Sequence, residues 1–412
     1  MKPVLTELST GYLIEWDDQV RARTGAMRLR NDGSTSAEVS IEANFGGKWQ
    51  HIKKPAIINL SSDQTRMRLA KDCQTRYGSD DIDWYAVIEQ LADTATTRFK
   101  EGEEVVELAS GADVRPPEHI IEPFIVKNYP NVIFGDPGSF KSNFVLALCM
   151  LAGISYHDNA LNIPVPDEPL KILWLDWETD RETVNWTMTR LQNGIDNNAF
   201  FLHYRKCMYP LKQDVEQIKR TIDKVGADMI VIDSLGLASG GEPKETEPAL
   251  SFFQALRQLK VTSLIIGHNS KNKEEKSKSI YGNMYYTALA RNIWEARKVA
   301  EPGDEQIDIA LFHRKAPPFS RLQKAFGYKI SFEPDRIDIK AQEATTVREF
   351  VDQMGTPARI ENLLLDGAMT KSEIVASLGI SDSTCRQALK RLRDKNRAVQ
   401  LTGEKWGLKY HD

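Results

Sequence analysis

Between residues 120 and 335 five short apolar runs, NVIFG, KILWLDWE, FLHY, DMIVID and TSLIIG, alternate with helical stretches: SNFVLALCMLAG, RETVNWTMTRLQNG, DVEQIKRTIDKVG and TEPALSFFQALRQLK. Strands this short and this uniformly apolar need cover on both faces, which alternating helices supply. The pattern predicts an α/β domain with a parallel sheet and a ligand at the carboxyl ends of its strands.

The run NVIFG leads into GDPGSFKS, residues 135–142, and then into a helix that opens at the lysine and serine. Strand, glycine turn and helix start are the parts of a phosphate-binding loop, whose backbone N–H groups and helix amino terminus enclose phosphate oxygens. Gly135, Asp136, Pro137, Gly138, Ser139, Phe140, Lys141, Ser142 and Asn143 are the expected nucleotide-binding residues. Lys141 would reach the β and γ phosphates of ATP, and Ser142 would offer its hydroxyl to Mg2+. Phe140 stands where a third glycine is usual. If the loop needs positive φ there, a side chain costs energy and the ring must find room away from phosphate.

Three further strand ends carry polar groups. Asp233 closes DMIVID and suits Mg2+ through water. KILWLDWETD carries Asp176, Glu178 and Asp180, and period-two alternation puts Asp176 and Glu178 on one side if the strand persists that far. Glu178 is the expected carboxylate to orient an attacking water; the alternative makes Asp176 or Asp180 the base and Glu178 a helix-start residue. TSLIIGHNSK ends on His268, either a sensor of the phosphate state or a hydrogen-bonded strand-end residue, followed by Asn269 and Lys271. The lysine-rich stretch NSKNKEEKSKSIYGN reads as a mobile loop that either tracks a phosphodiester backbone or is simply solvated.

This combination resembles the RecA-like and hexameric replicative helicase superfamily of ATPases, in particular its RepA-like branch from mobile-element and phage replication. The resemblance covers about residues 120–335 and rests on GDPGSFKS, WLDWETD, VIDSLGLASG and IIGHNSK, with Arg291 of YGNMYYTALARNIWEAR in a corresponding place. It implies a homo-oligomer, a hexamer or helical assembly, that hydrolyses ATP with Mg2+ at subunit borders. Lys141 and Ser142 would hold triphosphate and metal, Asp233 metal, Glu178 water, and His268 would sense. The family's basic residue from a neighbouring subunit would be Arg314 or Lys315 of IALFHRKAPPFS; exposed strand-end charges are the alternative.

Residues 1–112 read as a small mixed α/β domain of no assigned role, with apolar runs GYLIEW and PAIINL and a helical pattern in which Val87, Leu91 and Ala92 recur about a turn apart. Residues 1–115 hold 15 basic and 19 acidic side chains, so no electropositive platform is evident, and Trp16, Trp49 and Trp84 read as core. Residues 113–119, with paired prolines, read as a linker, and residues 336–345 as a second one. Residues 346–412 give short helices and then a hairpin, the pattern of a winged helix-turn-helix. Ser381 or Asp382 would cap its recognition helix, which sets Cys385, Ala388, Leu389 and Leu392 on one face. Arg386, Gln387, Lys390, Arg391 and Arg393 mostly fill the other face. Arg386 and Gln387 suit base edges, while Lys390, Arg391 and Lys405 suit the phosphate backbone. Docking of another protein is the alternative. Residues 381–411 carry eight basic and three acidic side chains, a local excess of five in a chain of net charge -4.

Cysteines 73, 149, 207 and 385 are too widely spaced for a zinc ribbon or a disulfide framework. No window reaches about 18 uninterrupted apolar residues, and the first thirty residues lack the apolar run of a signal peptide. A cytoplasmic, nucleoid-associated protein without a membrane partner is expected. The leading expectation is an ATP-dependent DNA helicase or translocase of a mobile element or phage, working on single-stranded DNA, with duplex DNA at its carboxyl-terminal module and replication or recombination proteins as further partners. The alternatives are a DNA-stimulated regulatory, loading or remodelling ATPase that does not unwind, and a non-enzymatic DNA-binding protein with a relic loop.

Overall fold

The computed structural model describes residues 2–409 apart from 79–80, 103–104, 109, 112–114, 196–199, 270–279 and 281. Its chain divides into two units, residues 1–115 with 215–224, and residues 116–214 with 225–412.

In the first unit, β1 (Val4–Leu8), β2 (Gly11–Trp16), β3 (Val20–Leu29), β4 (Thr35–Phe45) and β5 (Lys48–Asn59) form an antiparallel sheet in chain order. Alternation turns Ile14 and Trp16, Val20 and Ala22, and Val39 and Ile41 into one core. Helices α1 (Asp63–Arg76) and α2 (Trp84–Glu101) complete it with Leu69, Cys73, Val87, Ile88 and Leu91. Trp16 and Trp84 are fully buried, whereas Trp49 is only partly covered and carries the Arg21 guanidinium 4.3 Å above its ring. Helix α1 buries just Leu69, Ala70 and Cys73, a stripe too thin to stand out in the sequence.

The second unit begins with the paired strands β6 (His119–Ile121) and β7 (Ile125–Val126). Then follow β8 (Pro130–Gly135), α3 (Lys141–Gly153), β9 (Ile172–Asp176), α4 (Arg181–Gly194), β10 (His203–Lys206), α5 (Leu211–Val225), whose residues 215–224 are counted with the first unit, and β11 (Met229–Asp233). Next come α6 (Leu235–Ser239), α7 (Thr246–Leu259), β12 (Thr262–His268), α8 (Met284–Leu289), β13 (Asn292–Val299), β14 (Gln306–Lys315), β15 (Phe326–Phe332) and β16 (Ile337–Gln342). Among the described residues nine strands make one sheet, ordered β10-β9-β11-β12-β8-β13-β14-β15-β16. From β10 to β13 neighbours are parallel; beyond β13 they are antiparallel. Strands β9 and β11 are buried along their whole length, and α3 is buried from Phe144 to Ala152. The register sets Asp233 beside Asp176 and His268 beside Gly135, with Asp233 beside Ile266, so β8 and β12 run two residues past the carboxyl ends of β9 and β11.

Residues 336–345 are not the expected linker. They contain β16, which pairs with β15 and buries Ile337 and Ile339. Its alternation of isoleucine with Asp338 and Lys340 belongs to an edge strand, polar on one face, and was hidden by the preceding turn residues.

The carboxyl-terminal part of this unit holds α9 (Arg348–Val351), α10 (Thr356–Leu365), β17 (Met369–Thr370), α11 (Lys371–Leu378), α12 (Asp382–Asp394), β18 (Ala398–Gln400) and β19 (Lys405–Leu408). The three strands pair in the order β17-β19-β18. Ile360, Leu364, Ile374, Cys385, Leu389 and Leu392 form its core, with Trp406 packed against them. Thr370 and Glu373 close a capping box on α11, and Gly379, at φ 61°, ends that helix. Ser381 caps α12 by accepting from the Thr384 N–H at 3.2 Å. Arg386, Gln387, Lys390, Arg391, Arg393 and Lys405 are all exposed, with Arg386 3.1 Å from Asp382.

Candidate active site

The turn between β8 and α3 needs both of its glycines. A Cβ on Gly135 would lie 2.5 Å from the Ala296 carbonyl oxygen and 2.7 Å from Ser139 Oγ, and Gly138 has φ 72°. Phe140 also adopts the left-handed conformation, with φ 65° and ψ 10°, immediately before α3. An L-residue there costs about 1–2 kcal/mol. The side chain supplies the compensation: its ring meets Phe332 edge-on at 5.7 Å and packs against the core under the sheet. The half-buried ring has therefore found its room against the core.

Lys141 is buried, and its Nζ donates to the Asp136 carbonyl at 3.2 Å. Burial lowers its pKa, opposed by the negative charges of Glu178, Asp233 and Asp136. Asp233 is buried as well. Desolvation first, and then Glu178 and Asp176, push its carboxyl up to about 7 against a hydrogen bond from Ser142 and the charge of Lys141. Glu178 goes the other way, held down at about 2 chiefly by a hydrogen bond from His268, with further help from Ser234 and Lys141. His268 Nε2 stands 3.5 Å from Glu178 Oε2. Lys141, Ser142, Asp233, Glu178 and His268 thus form one connected cluster.

Strand β9 does not persist to Glu178. It ends at Asp176, and the Trp177 N–H turns to donate to the Asp233 carbonyl at 2.6 Å, so Asp176 and Glu178 do not share a strand face. Asp176 is fully buried and accepts from Glu178 N–H, Thr179 N–H, Thr179 Oγ1 and Tyr204 Oη. With its acceptor sites occupied it is not available as a base. Asp180 is spent differently, capping α4 through the Thr183 N–H at 2.7 Å.

Asn269 follows His268, its backbone N–H donating to the Gly135 carbonyl at 3.1 Å. Its buried side chain has no partner for either polar atom among the described residues. Lys271 and most of the lysine-rich stretch lie outside the described residues. Arg291 sits at the amino end of β13, away from the phosphate loop, its backbone N–H on the Pro130 carbonyl. Arg314 donates to the fully buried Glu295 at 2.7 Å and lies 4.8 Å over the Phe312 ring. Lys315 gives its ammonium to three carbonyls at the end of α8, those of Thr287, Ala288 and Ala290, at 2.7–2.8 Å. Both cations are engaged within their own chain.

Among the described residues no group of three or more His, Cys, Asp or Glu side chains is placed to hold a metal. The hydroxyl of Ser142 on the carboxylate of Asp233 is a two-donor set. It fits Mg2+, which keeps phosphate oxygens and water in the rest of its shell.

Residues 95–274 match the AAA domain family. Over 164 residues the chain is 27% identical to the DNA repair protein RadA of Chlamydia trachomatis serovar D, a match covering 38% of this chain and 31% of that one. The chain therefore spans about a third of the length of the curated relative it matches. This chain holds a P-loop NTPase domain of the RecA-like/AAA superfamily. A KaiC-like protein from the archaeon Pyrococcus horikoshii is similar over 53% of this chain and 93% of its own, at 14% identity and a TM-score of 0.38.

For a P-loop NTPase, the sequence reading passed over Tyr204 and Ser234 and named Asp176 only as an alternative base to Glu178. The signal for Asp176 was present in DWETD: an aspartate at a strand end with N–H groups two and three residues on is the pattern of an Asx turn. Tyr204 gave none, since its contact with Asp176 depends on the pairing of β10 with β9. Among the described residues no helix of this NTPase is long and apolar enough to cross a membrane.

Proposed function

We propose that this chain binds ATP with Mg2+ at the carboxyl ends of β8, β9, β11 and β12, hydrolyses it, and uses the cycle as a DNA-stimulated loading or remodelling ATPase that does not unwind duplexes. The observation that carries the proposal is the cluster of Lys141, Ser142, Asp233, Glu178 and His268 at neighbouring carboxyl strand ends behind the GDPGSFKS loop.

On nucleotide binding, Lys141 exchanges the Asp136 carbonyl for phosphate oxygens, whose negative charge favours the ammonium form that burial disfavours. Mg2+ held by Ser142 and Asp233 with phosphate oxygens would neutralise charge on the triphosphate. Glu178 orients a water toward the γ phosphorus. The water oxygen bonds to phosphorus, the bond to the β-phosphate oxygen breaks with its electron pair leaving on ADP, and the water proton passes to Glu178. A carboxylate held near 2 by His268 is a weak base, so a γ phosphate that draws His268 away raises the basicity of Glu178 when substrate is present.

The carboxyl-terminal helices and three-stranded sheet are a winged helix-turn-helix in this proposal. Exposed Arg386, Gln387, Lys390, Arg391 and Arg393 on α12 and Lys405 on β19 would face duplex DNA. An assembly completed by a neighbour's Arg314 or Lys315 would require these side chains to leave Glu295 or the end of α8. The similarity to a DNA repair protein supports a DNA-directed ATPase.

The test measures ATP turnover and strand separation together, on the full chain with a forked duplex. Turnover raised by DNA, abolished by Lys141→Ala and unaccompanied by strand separation is the expected result. Strand separation would return the protein to the helicases, and no turnover with or without DNA would remove the ATPase reading.

A further inference from the structure

The loop from residue 176 to residue 180 carries Glu178 between two aspartates, and the first of them, among the described residues, takes its hydrogen bonds from Glu178, Thr179 and Tyr204 and not from residues 135–143. We propose that Asp176 is a positioning residue for hydrolysis: held by Tyr204 and Thr179, its carboxylate fixes the backbone from which Glu178 reaches the water. The inference rests on the ATPase reading above.

The backbone at this point is tied to both neighbouring strands. The Cys207 N–H on β10's side donates to the Asp176 carbonyl at 2.8 Å, and the Trp177 N–H donates to the carbonyl of Asp233 on β11. The Asp176 side chain then closes the turn. Its Oδ1 accepts the N–H groups of Glu178 and Thr179, each at 2.8 Å, and its Oδ2 accepts Thr179 Oγ1 at 2.7 Å and Tyr204 Oη at 2.8 Å. Four donors use the four acceptor sites of a carboxylate. Lys206, 3.9 Å from Oδ1, also donates to the Thr179 carbonyl and so grips the same turn from β10.

A fully buried carboxylate is costly unless it is hydrogen-bonded and paired, and a simple strand end does not need one. What this one adds is two N–H groups aimed at a single oxygen, which sets the backbone between Trp177 and Thr179. Asp180 fixes the other side of the loop by capping α4. Between these anchors Glu178 is the residue whose side chain is left to meet His268 and Ser234. Displacing a catalytic group by about 1 Å costs on the order of 10²-fold in rate, so such an anchor has a kinetic purpose.

The experiment compares Asp176→Ala, Asp176→Asn and Tyr204→Phe with the unaltered chain for kcat, the KM for ATP and thermal midpoint. Asp176→Ala is expected to lower kcat by about 10²-fold while KM stays within about threefold. Asp176→Asn keeps an oxygen for both N–H groups and can donate to the hydroxyls, so it should restore most of that loss. Should the alanine variant fail to fold, Tyr204→Phe is the remaining measure, with kcat down about fivefold at unchanged KM. Full kcat in both Asp176→Ala and Tyr204→Phe overturns the proposal, as does an asparagine variant no better than alanine, which would mean that the charge itself acts. Kcat and KM changing together with the melting point also overturns it, leaving Asp176 merely structural. An unaltered chain that hydrolyses no ATP overturns this proposal together with the ATPase reading, whereas active variants beside an active parent overturn this one alone.

Discussion

Two polar clusters occupy opposite ends of the same sheet. At the amino ends of β8 and β13, Asn131 donates to the carbonyls of Val126, Tyr129 and Ser263 and accepts the Val126 N–H. Asn292 donates to the Phe124 carbonyl and meets His313 Nε2 at 2.8 Å. The Gln323 N–H donates to His313 Nδ1, so Nε2 carries the proton, and the ring lies flat on Trp294 at 4.2 Å. This network is neutral and its members satisfy one another. At the carboxyl ends the balance is unfinished: Asp233 is pushed up to about 7, Lys141 is pushed down, and Ser139 Oγ, His268 Nδ1 and the Asn269 amide lack partners among the described residues. Both ends are buried polar structure, but only one has capacity left for a ligand to complete.

The strongest way to break this contrast is at Glu178. Glu178→Gln should cut ATP turnover by about 10²–10⁴-fold while equilibrium nucleotide binding persists; full turnover would leave the charged end with no chemistry of its own. Asn292→Ala attacks the other end. It should lower the denaturation free energy by about 2–4 kcal/mol, since it orphans the Phe124 carbonyl and His313, and it should leave the KM for ATP unchanged.

Acid separates the two ends further. Burial holds His313 at about 4, below its ordinary 6.5, so between these values the unfolded chain binds the proton first. Its contribution, roughly 3 kcal/mol at most, is fully present above pH 6.5 and is lost as pH falls toward 4. His313→Gln should flatten that part of a stability-against-pH curve. The smallest effect is at Phe140, where Ala and Gly both lose the ring but only Gly also loses the left-handed penalty. Phe140→Gly should therefore exceed Phe140→Ala in stability by about 1 kcal/mol, and equal denaturation midpoints would contradict the backbone described at this position.

Strands β8, β9, β11 and β12 were legible because they are apolar on both faces, unlike the edge strand β10 with its sequence HYRK, and α12 because four buried residues recur at helical spacing. The antiparallel half was not. Strands such as β16 alternate isoleucine with charge, and nothing local separates that from a polar connection. At the site, residues that act through their own chemistry, Lys141, Ser142, Asp233, Glu178 and His268, could be picked out by type and place. Asp176 was legible only in part: DWETD carries its Asx turn, but its contact with Tyr204 comes from a neighbouring strand. The intrachain partners of Arg314 and Lys315 left no mark in the sequence for a related reason: Glu295 and the end of α8 reach them only through the fold.

Phe140 gives the phosphate loop an unusual dependence on synthesis. A glycine there would let the loop take its shape as soon as β8 and α3 had formed. With phenylalanine, the conformation is supported by Phe332, at the far end of β15 and much later in the chain. A nascent chain that has not yet reached β15 carries every letter of GDPGSFKS without the contact that steadies its backbone. The backbone of the loop is thereby steadied by a strand that is made well after it.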